Sequence, residues 1–170
     1  MNETEYVTYL QLIQTSINDE LSAVVLYKRI AESLTGPGAP VIAKELREHA
    51  DDEYRHFKLL LEFCSHYGIL QEMSVELESE ANLDVSSSTE TLIAKVQSLE
   101  LEAISTYKKL LNMSKQYSVV EGCKLFLQIL TEEQEHYDDL AFFDGKTRSL
   151  PLIKDTTEKQ QSVASLIAQI

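Results

Sequence analysis

Residues 49–63 read His49-Ala50-Asp51-Asp52-Glu53-Tyr54-Arg55-His56-Phe57-Lys58-Leu59-Leu60-Leu61-Glu62-Phe63. Within this stretch His49, Glu53, His56, Leu60 and Phe63 are spaced by four, three, four and three, the rhythm of one face of an α-helix. The apolar members turn that face toward a core. The ionisable members put a polar layer inside it, which is costly unless its groups are paired or bind a metal. The same face runs on from Leu46 to Tyr67, and Gly68 stands where a helix ends.

Working outward, an upstream helix carries Leu10, Ile13, Ile17, Glu20, Val24, Tyr27 and Ala31 on its inner stripe and stops in the breaker cluster Ser33 to Pro40. Downstream the periodicity fades from Ile69 to Thr89, and the acidic stretch Glu72 to Asp84 reads as a solvated connection. Ser86 to Glu90 offers N-caps for a third helix with Ile93, Val96, Glu100, Ala103, Tyr107, Leu110, Ser114 and Tyr117 inward. After a turn near Ser118, a fourth helix presents Gly122, Phe126, Ile129, Glu133, His136, Leu140 and Phe143, ending before Gly145. The expectation is an all-α protein whose domain, residues 1–147, is a four-helix bundle of two antiparallel hairpins joined by a long crossover. In the tail, residues 148–170, Asp155-Thr156-Thr157-Glu158 resembles a capping box. Val163, Leu166, Ile167 and Ile170 then give a short fifth helix one apolar face, to pack on the bundle end or on other subunits.

Composition agrees. A chain of 170 residues with 44% hydrophobic residues, five Gly, three Pro and no Trp suits one helical domain. Its net charge of −13 repels nucleic acid and anionic membranes and concentrates cations. Cys64 and Cys123 are too few for a disulfide framework and read as buried thiols of a reducing compartment. The acidic start, Met1 to Glu5, has no leader character, and no apolar run is long enough to cross a bilayer, so the expected location is cytoplasmic.

Shifting the sequence by 80 residues without a gap superimposes Glu20 on Glu100, Tyr27 on Tyr107, Glu53 on Glu133, His56 on His136, and Phe63 on Phe143. Each hairpin is thus a copy of one unit, and the copies are expected about an approximate two-fold axis. The only two Glu-x-x-His pairs in the chain are Glu53/His56 and Glu133/His136. With Glu20 and Glu100 they form the ligand set of a carboxylate-bridged dinuclear site in a bundle core. Oxygen-rich ligation with one imidazole per metal suits two iron ions, with manganese possible, and four carboxylates neutralise two divalent ions. The expected arrangement places Glu20 and His56 on one metal and Glu100 and His136 on the other, with Glu53 and Glu133 bridging. The rival is a polar layer that only fixes helix register.

At these residues the sequence resembles the ferritin-like di-iron carboxylate superfamily, above all its bacterioferritin and ferritin branch. Asp19-Glu20-Leu21-Ser22-Ala23-Val24-Val25-Leu26-Tyr27 is similar to the first-helix motif of bacterioferritins, and Asp52-Glu53-Tyr54-Arg55-His56 to the Asp-Glu-x-Arg-His motif of di-iron proteins. The resemblance implies that Asp52 orients a histidine. The second copy keeps the ligands but has Glu132 for Asp and Glu135 for Arg. Tyr54 stands where bacterioferritins place a haem-ligating Met, so haem is not expected. Ala103 and the two-cysteine count disfavour a rubrerythrin-type peroxidase.

The implied function is ferroxidase chemistry, the oxidation of Fe(II) by O2 or H2O2 for iron storage or detoxification, in a homo-oligomer. The alternative is a di-iron or di-manganese oxidoreductase, mono-oxygenase or peroxide-removing, without mineral storage. Tyr27 and Tyr107, two turns beyond the carboxylates, are expected to pack against the ligands and hydrogen-bond them, the alternative being electron donation during oxygen reduction. His49, whose counterpart is Ile129, reads as a hydrogen-bonded core histidine, the alternative being an extra metal contact or an entry-path ligand. His66 reads as surface, and Glu45, Glu48, Asp51 and Glu132 as solvated acids or an approach for cations.

Overall fold

Asn2 opens the first helix with a capping box: its side chain accepts from the Glu5 amide while the Glu5 carboxylate accepts from the Asn2 amide. In the computed structural model, which describes residues 1–78, 81 and 84–143, four helices follow in order. They are α1 (Glu3–Ser33), α2 (Ala39–His66), α3 (Thr89–Gln116) and α4 (Val120–Phe143), and no strand occurs among the described residues. Ser88 caps α3 through the Thr91 amide, as the serine run predicts. Gly68, with φ +70°, takes the left-handed conformation that releases the chain after α2. The predicted fifth helix and the rest of the tail lie outside the described residues. None of the described helices is long and apolar enough to cross a membrane.

Helices α1 and α2 form one hairpin, and α3 and α4 the other. Contacts between hairpins give the helix directions. Tyr9 meets Ser114 and Tyr27 meets Glu100, so α1 and α3 are antiparallel. Tyr67 meets Glu121 and Arg55 meets Glu132, so α2 and α4 are antiparallel too.

The crossover has a device that sequence reading missed. Gln14, Asn18 and Ser22, four residues apart on α1, accept from the backbone amides of Ser74, Glu76 and Glu78, two residues apart in the connection. Four helical residues rise about 6 Å and two extended residues about 6.6 Å, so the registers match. The Arg29 guanidinium extends the ladder to the Ala81 carbonyl. The connection is therefore laid along α1 by its backbone.

Two apolar clusters fill the bundle. One contains Ile13, Ile17, Leu60, Leu110, Phe126 and Ile129, the other Leu26, Ile30, Leu46, Ile93, Val96, Leu140 and Phe143. The inner face is wider than the predicted stripes: Tyr9, Ser16, Leu26 and Ile30 are buried, whereas Leu10 and Val24 are half-buried. Tyr67 and Tyr117 were expected inward. They are instead the C-cap residues of α2 and α3, where the chain leaves the bundle, with Tyr67 exposed and Tyr117 half-buried.

Two expectations follow from this packing. A Cβ on Gly122 would come 2.6 Å from Ser114 Oγ and 2.9 Å from Tyr9 Oη, the atoms that hydrogen-bond across the bundle at 2.8 Å. Gly122→Ala should therefore lower the urea midpoint, the clash of about 1–3 kcal/mol outweighing a helix-propensity gain of about 1 kcal/mol; a raised midpoint would mean that α4 has room to spare. Burial pushes the Cys64 thiol up to about 11. Alkylation of the native protein at pH 8, read by mass spectrometry, should leave Cys64 unmodified until denaturant is added.

Candidate metal centre

Between the two apolar clusters lies one polar layer. Each helix brings to it the residues that its period places inward: Glu20 from α1, Glu53 and His56 from α2, Glu100 from α3, and Glu133 and His136 from α4. All six are buried, none more than 4% exposed. The fold brings together every residue of the ligand set expected from the sequence.

Their reactive atoms converge. His56 Nδ1 lies 3.1 Å from Glu53 and from Glu133 and 3.4 Å from Glu20. His136 Nδ1 lies 3.1 Å from Glu53, 3.8 Å from Glu133 and 4.0 Å from Glu100. Two donor sets result, Glu20/Glu53/His56/Glu133 and Glu53/Glu100/Glu133/His136, each with its atoms within 4.8 Å of one another. They share Glu53 and Glu133, the pair expected to bridge.

Glu20 Oε2, Glu53 Oε1, Glu133 Oε1 and His136 Nδ1 are buried without an aligned hydrogen bond. Orphans of this kind cost about 1–3 kcal/mol each, and here they face one another. A metal pair fits: its charge would satisfy these atoms together.

The outer nitrogens of the imidazoles are held by the opposite hairpin. Glu132 Oε2 is 2.6 Å from His56 Nε2, and Asp52 Oδ2 is 3.5 Å from His136 Nε2. Asp52 thus faces the second histidine, not the one in its own motif, and Glu132 does the same work for the first. An Nε2–H directed at a carboxylate leaves the Nδ1 lone pair for the centre. Arg55 spans both acids, 2.8 Å from Asp52 and 3.1 Å from Glu132, so a single arginine serves both copies despite Glu135 in the second.

Tyr27 Oη donates to Glu100 at 2.6 Å, and Tyr107 Oη donates to Glu20. Burial, reinforced by the Glu100 and Glu20 charges, pushes both phenols well above their usual range and keeps them protonated donors. Burial, then repulsion from Glu53 and Glu133, likewise pushes the Glu20 carboxyl well up; for Glu100 the order is burial, Glu133, Glu53. Burial opposes charge on Glu53, yet the His136 and His56 imidazoles hold it well below the carboxylate range. Burial also works against protonation of His56, but Glu20 and the other facing acids outweigh it and raise it.

The remaining singled-out residues are spread. His66 is exposed at the end of α2. Asp51 and Glu48 are exposed and pair with Lys28 and Lys44. His49 is 3% exposed and stacks on His136, with ring centroids 4.2 Å apart. It is not the hydrogen-bonded core histidine expected from the sequence, since neither ring nitrogen has a hydrogen-bond partner. Glu45 and Asp139 are buried beside it. Asp139 falls three residues after His136 where the first copy has Leu59, so only the break in the repeat marks it in the sequence.

A cavity of about 420 Å³ leads to the centre between α1 and α3. Glu20, Glu53, Glu100 and Glu133 lie at its floor, Asp19, Glu78 and Glu102 line it further out, and its described lining holds no basic side chain.

With chelator present, Glu20→Gln with Glu100→Gln should melt above the parent protein, because neutral amides remove two buried carboxyls that Glu53 and Glu133 repel and still accept from the tyrosines. A fall of several degrees in calorimetry would mean that the layer is already balanced without metal.

The sequence profile of the ferritin-like domain matches residues 10–150. No curated protein sequence matches the chain. Among solved structures, the chain is similar to a dodecameric thioferritin in the bacterial domain, the bacterioferritin-related protein from Bacteroides fragilis. The TM-score is 0.62 at 21% identity, over 96% of this chain and 90% of that one, a likeness of fold.

Proposed function

This chain belongs to the ferritin-like domain family, and from that premise we propose that its buried centre is a ferroxidase site, taking up two Fe(II) ions as substrate with O2 or H2O2 as oxidant. The observation that carries the reading is the pair of donor sets sharing Glu53 and Glu133. Glu20 and His56 hold one ion, Glu100 and His136 the other. Two Fe(II) ions give two electrons; one O2 takes them with two protons and leaves as H2O2, or one H2O2 takes them with two protons and leaves as two waters.

Each feature of the chain has a part in this. The four carboxylates offer oxygen donors suited to both the ferrous and the ferric ion, while Glu132 and Asp52 hold the imidazoles in place. Tyr27 and Tyr107 fix the terminal carboxylates from the opposite hairpin. The acidic cavity favours a cation over a lipid-like organic substrate, which supports iron oxidation over mono-oxygenation. Tyr54 in the motif supports a centre that works without haem.

The reading extends to iron storage or detoxification by a homo-oligomer, in keeping with the dodecameric neighbour, and to a cytoplasmic setting that keeps Cys64 and Cys123 as free thiols. Manganese fits the same donors.

Aerobic titration of the metal-free protein with Fe(II) tests the proposal. Rapid oxidation of about two irons per chain is expected, and retention far above that after gel filtration would mark storage. No oxidation would overturn the iron reading. Asp52→Asn should weaken Fe(II) binding about 10–100-fold, followed by anaerobic equilibrium dialysis, because His136 loses the acid that orients it.

A further inference from the structure

We propose that Glu45, His49 and Asp139 form a third site for a divalent transition-metal ion, joined to the dinuclear centre through His49. The three residues come from α2 and α4 and are at most 9% exposed. His49 Nε2 lies 3.7 Å from Glu45 Oε1 and 3.7 Å from Asp139 Oδ2. That is beyond hydrogen-bond range, and neither nitrogen of this ring, which is 3% exposed, finds another partner. Donors on one ion, each about 2.1 Å from it, stand at most about 4.2 Å apart, and both contacts satisfy this. Two carboxylates and one imidazole suit Fe(II), Mn(II), Co(II) or Zn(II).

The internal repeat supplies an independent argument. Under the shift of 80 residues, Glu45, His49 and Asp139 correspond to Leu125, Ile129 and Leu59. The same place in the other half is apolar: Ile129 belongs to a hydrophobic cluster there and the half-buried Leu125 packs against it. A layer needed only for helix register would serve both halves. Here two residues one turn apart on α2 and a third on α4, 90 positions after His49, replace three apolar ones together, and they meet in space.

The site also connects. Glu45/His49/Asp139, His49/Glu100/His136 and Glu53/Glu100/Glu133/His136 are each donor sets with atoms within 4.8 Å, and each shares at least one residue with the next. An ion held at the first set can thus pass to the centre without leaving ligands, and the asymmetry gives one half of the bundle a holding position that the other lacks.

Anaerobic equilibrium dialysis of the full chain against Co(II), with metal counted by mass spectrometry, tests this. The parent should hold about three ions per chain and His49→Leu about two, since only the triad is lost. Circular dichroism checks folding, and Glu45→Gln with Asp139→Asn, which keeps side-chain shape, is the second variant. The converse variant, Glu20→Gln with Glu100→Gln, should keep the triad's ion. Equal stoichiometry in the parent and both triad variants overturns the proposal. So does loss of every ion from folded His49→Leu, which would make His49 part of the dinuclear centre. The difference in count stands whatever that centre does with Fe(II), so ferroxidase failure and failure of the third site are separable.

Discussion

Burying four carboxylates and two imidazoles in the middle of a helical bundle is the constraint on which the rest depends. Isolated, such charges are far too costly to bury, and the protein meets that cost by making them face one another. The layer cannot close perfectly, because acids outnumber imidazoles. Glu20 and Glu100 are pushed toward protonation by burial and by neighbouring acids, while Glu53 is held ionised between the histidines. That residual imbalance is the property a divalent ion pair would relieve, and it explains why several oxygens and His136 Nδ1 remain without hydrogen bonds in an otherwise well-packed interior.

The two-fold design solves a positioning problem economically. Each hairpin supplies one carboxylate and one Glu-x-x-His pair, but the groups that orient them come from the other hairpin. Tyr27 reaches Glu100, Tyr107 reaches Glu20, Glu132 reaches His56 and Asp52 faces His136. A hairpin alone would therefore have ligands without supports. Reciprocal bracing couples assembly of the bundle to completion of the site, and Arg55 joins the two supporting acids across the α2–α4 seam. The symmetry stops at His49, where one half turns polar and acquires two buried acids.

Topology adds a further requirement. An antiparallel α1–α3 pair needs a connection running the length of the bundle, and a segment with an exposed backbone would have no reason to stay there. Gln14, Asn18 and Ser22 give it one, matching a helical step of four to an extended step of two. The cavity toward the centre is lined in part by Glu78, the last described residue of this ladder before Ala81. The crossover is thus a wall of the approach as well as a link.

The sequence by itself determined the four helices, the centre line of each inner face and the six converging side chains, because helical period and the internal repeat are local or one-dimensional signals. Ser88 as a cap, Gly68 as a terminator and the placement of Glu20, Glu53, His56, Glu100, Glu133 and His136 all follow from spacing. Tertiary structure alone decided which partner each side chain meets. Asp52 facing His136, the Asn18 and Ser22 ladder, and the buried company of His49 depend on how two hairpins dock, and periodicity gives a residue's face without naming what lies opposite. Asp139 shows the limit most clearly: on its own helix it is one acid among several, and only antiparallel packing of α4 on α2 brings it to a histidine 90 residues earlier in the chain.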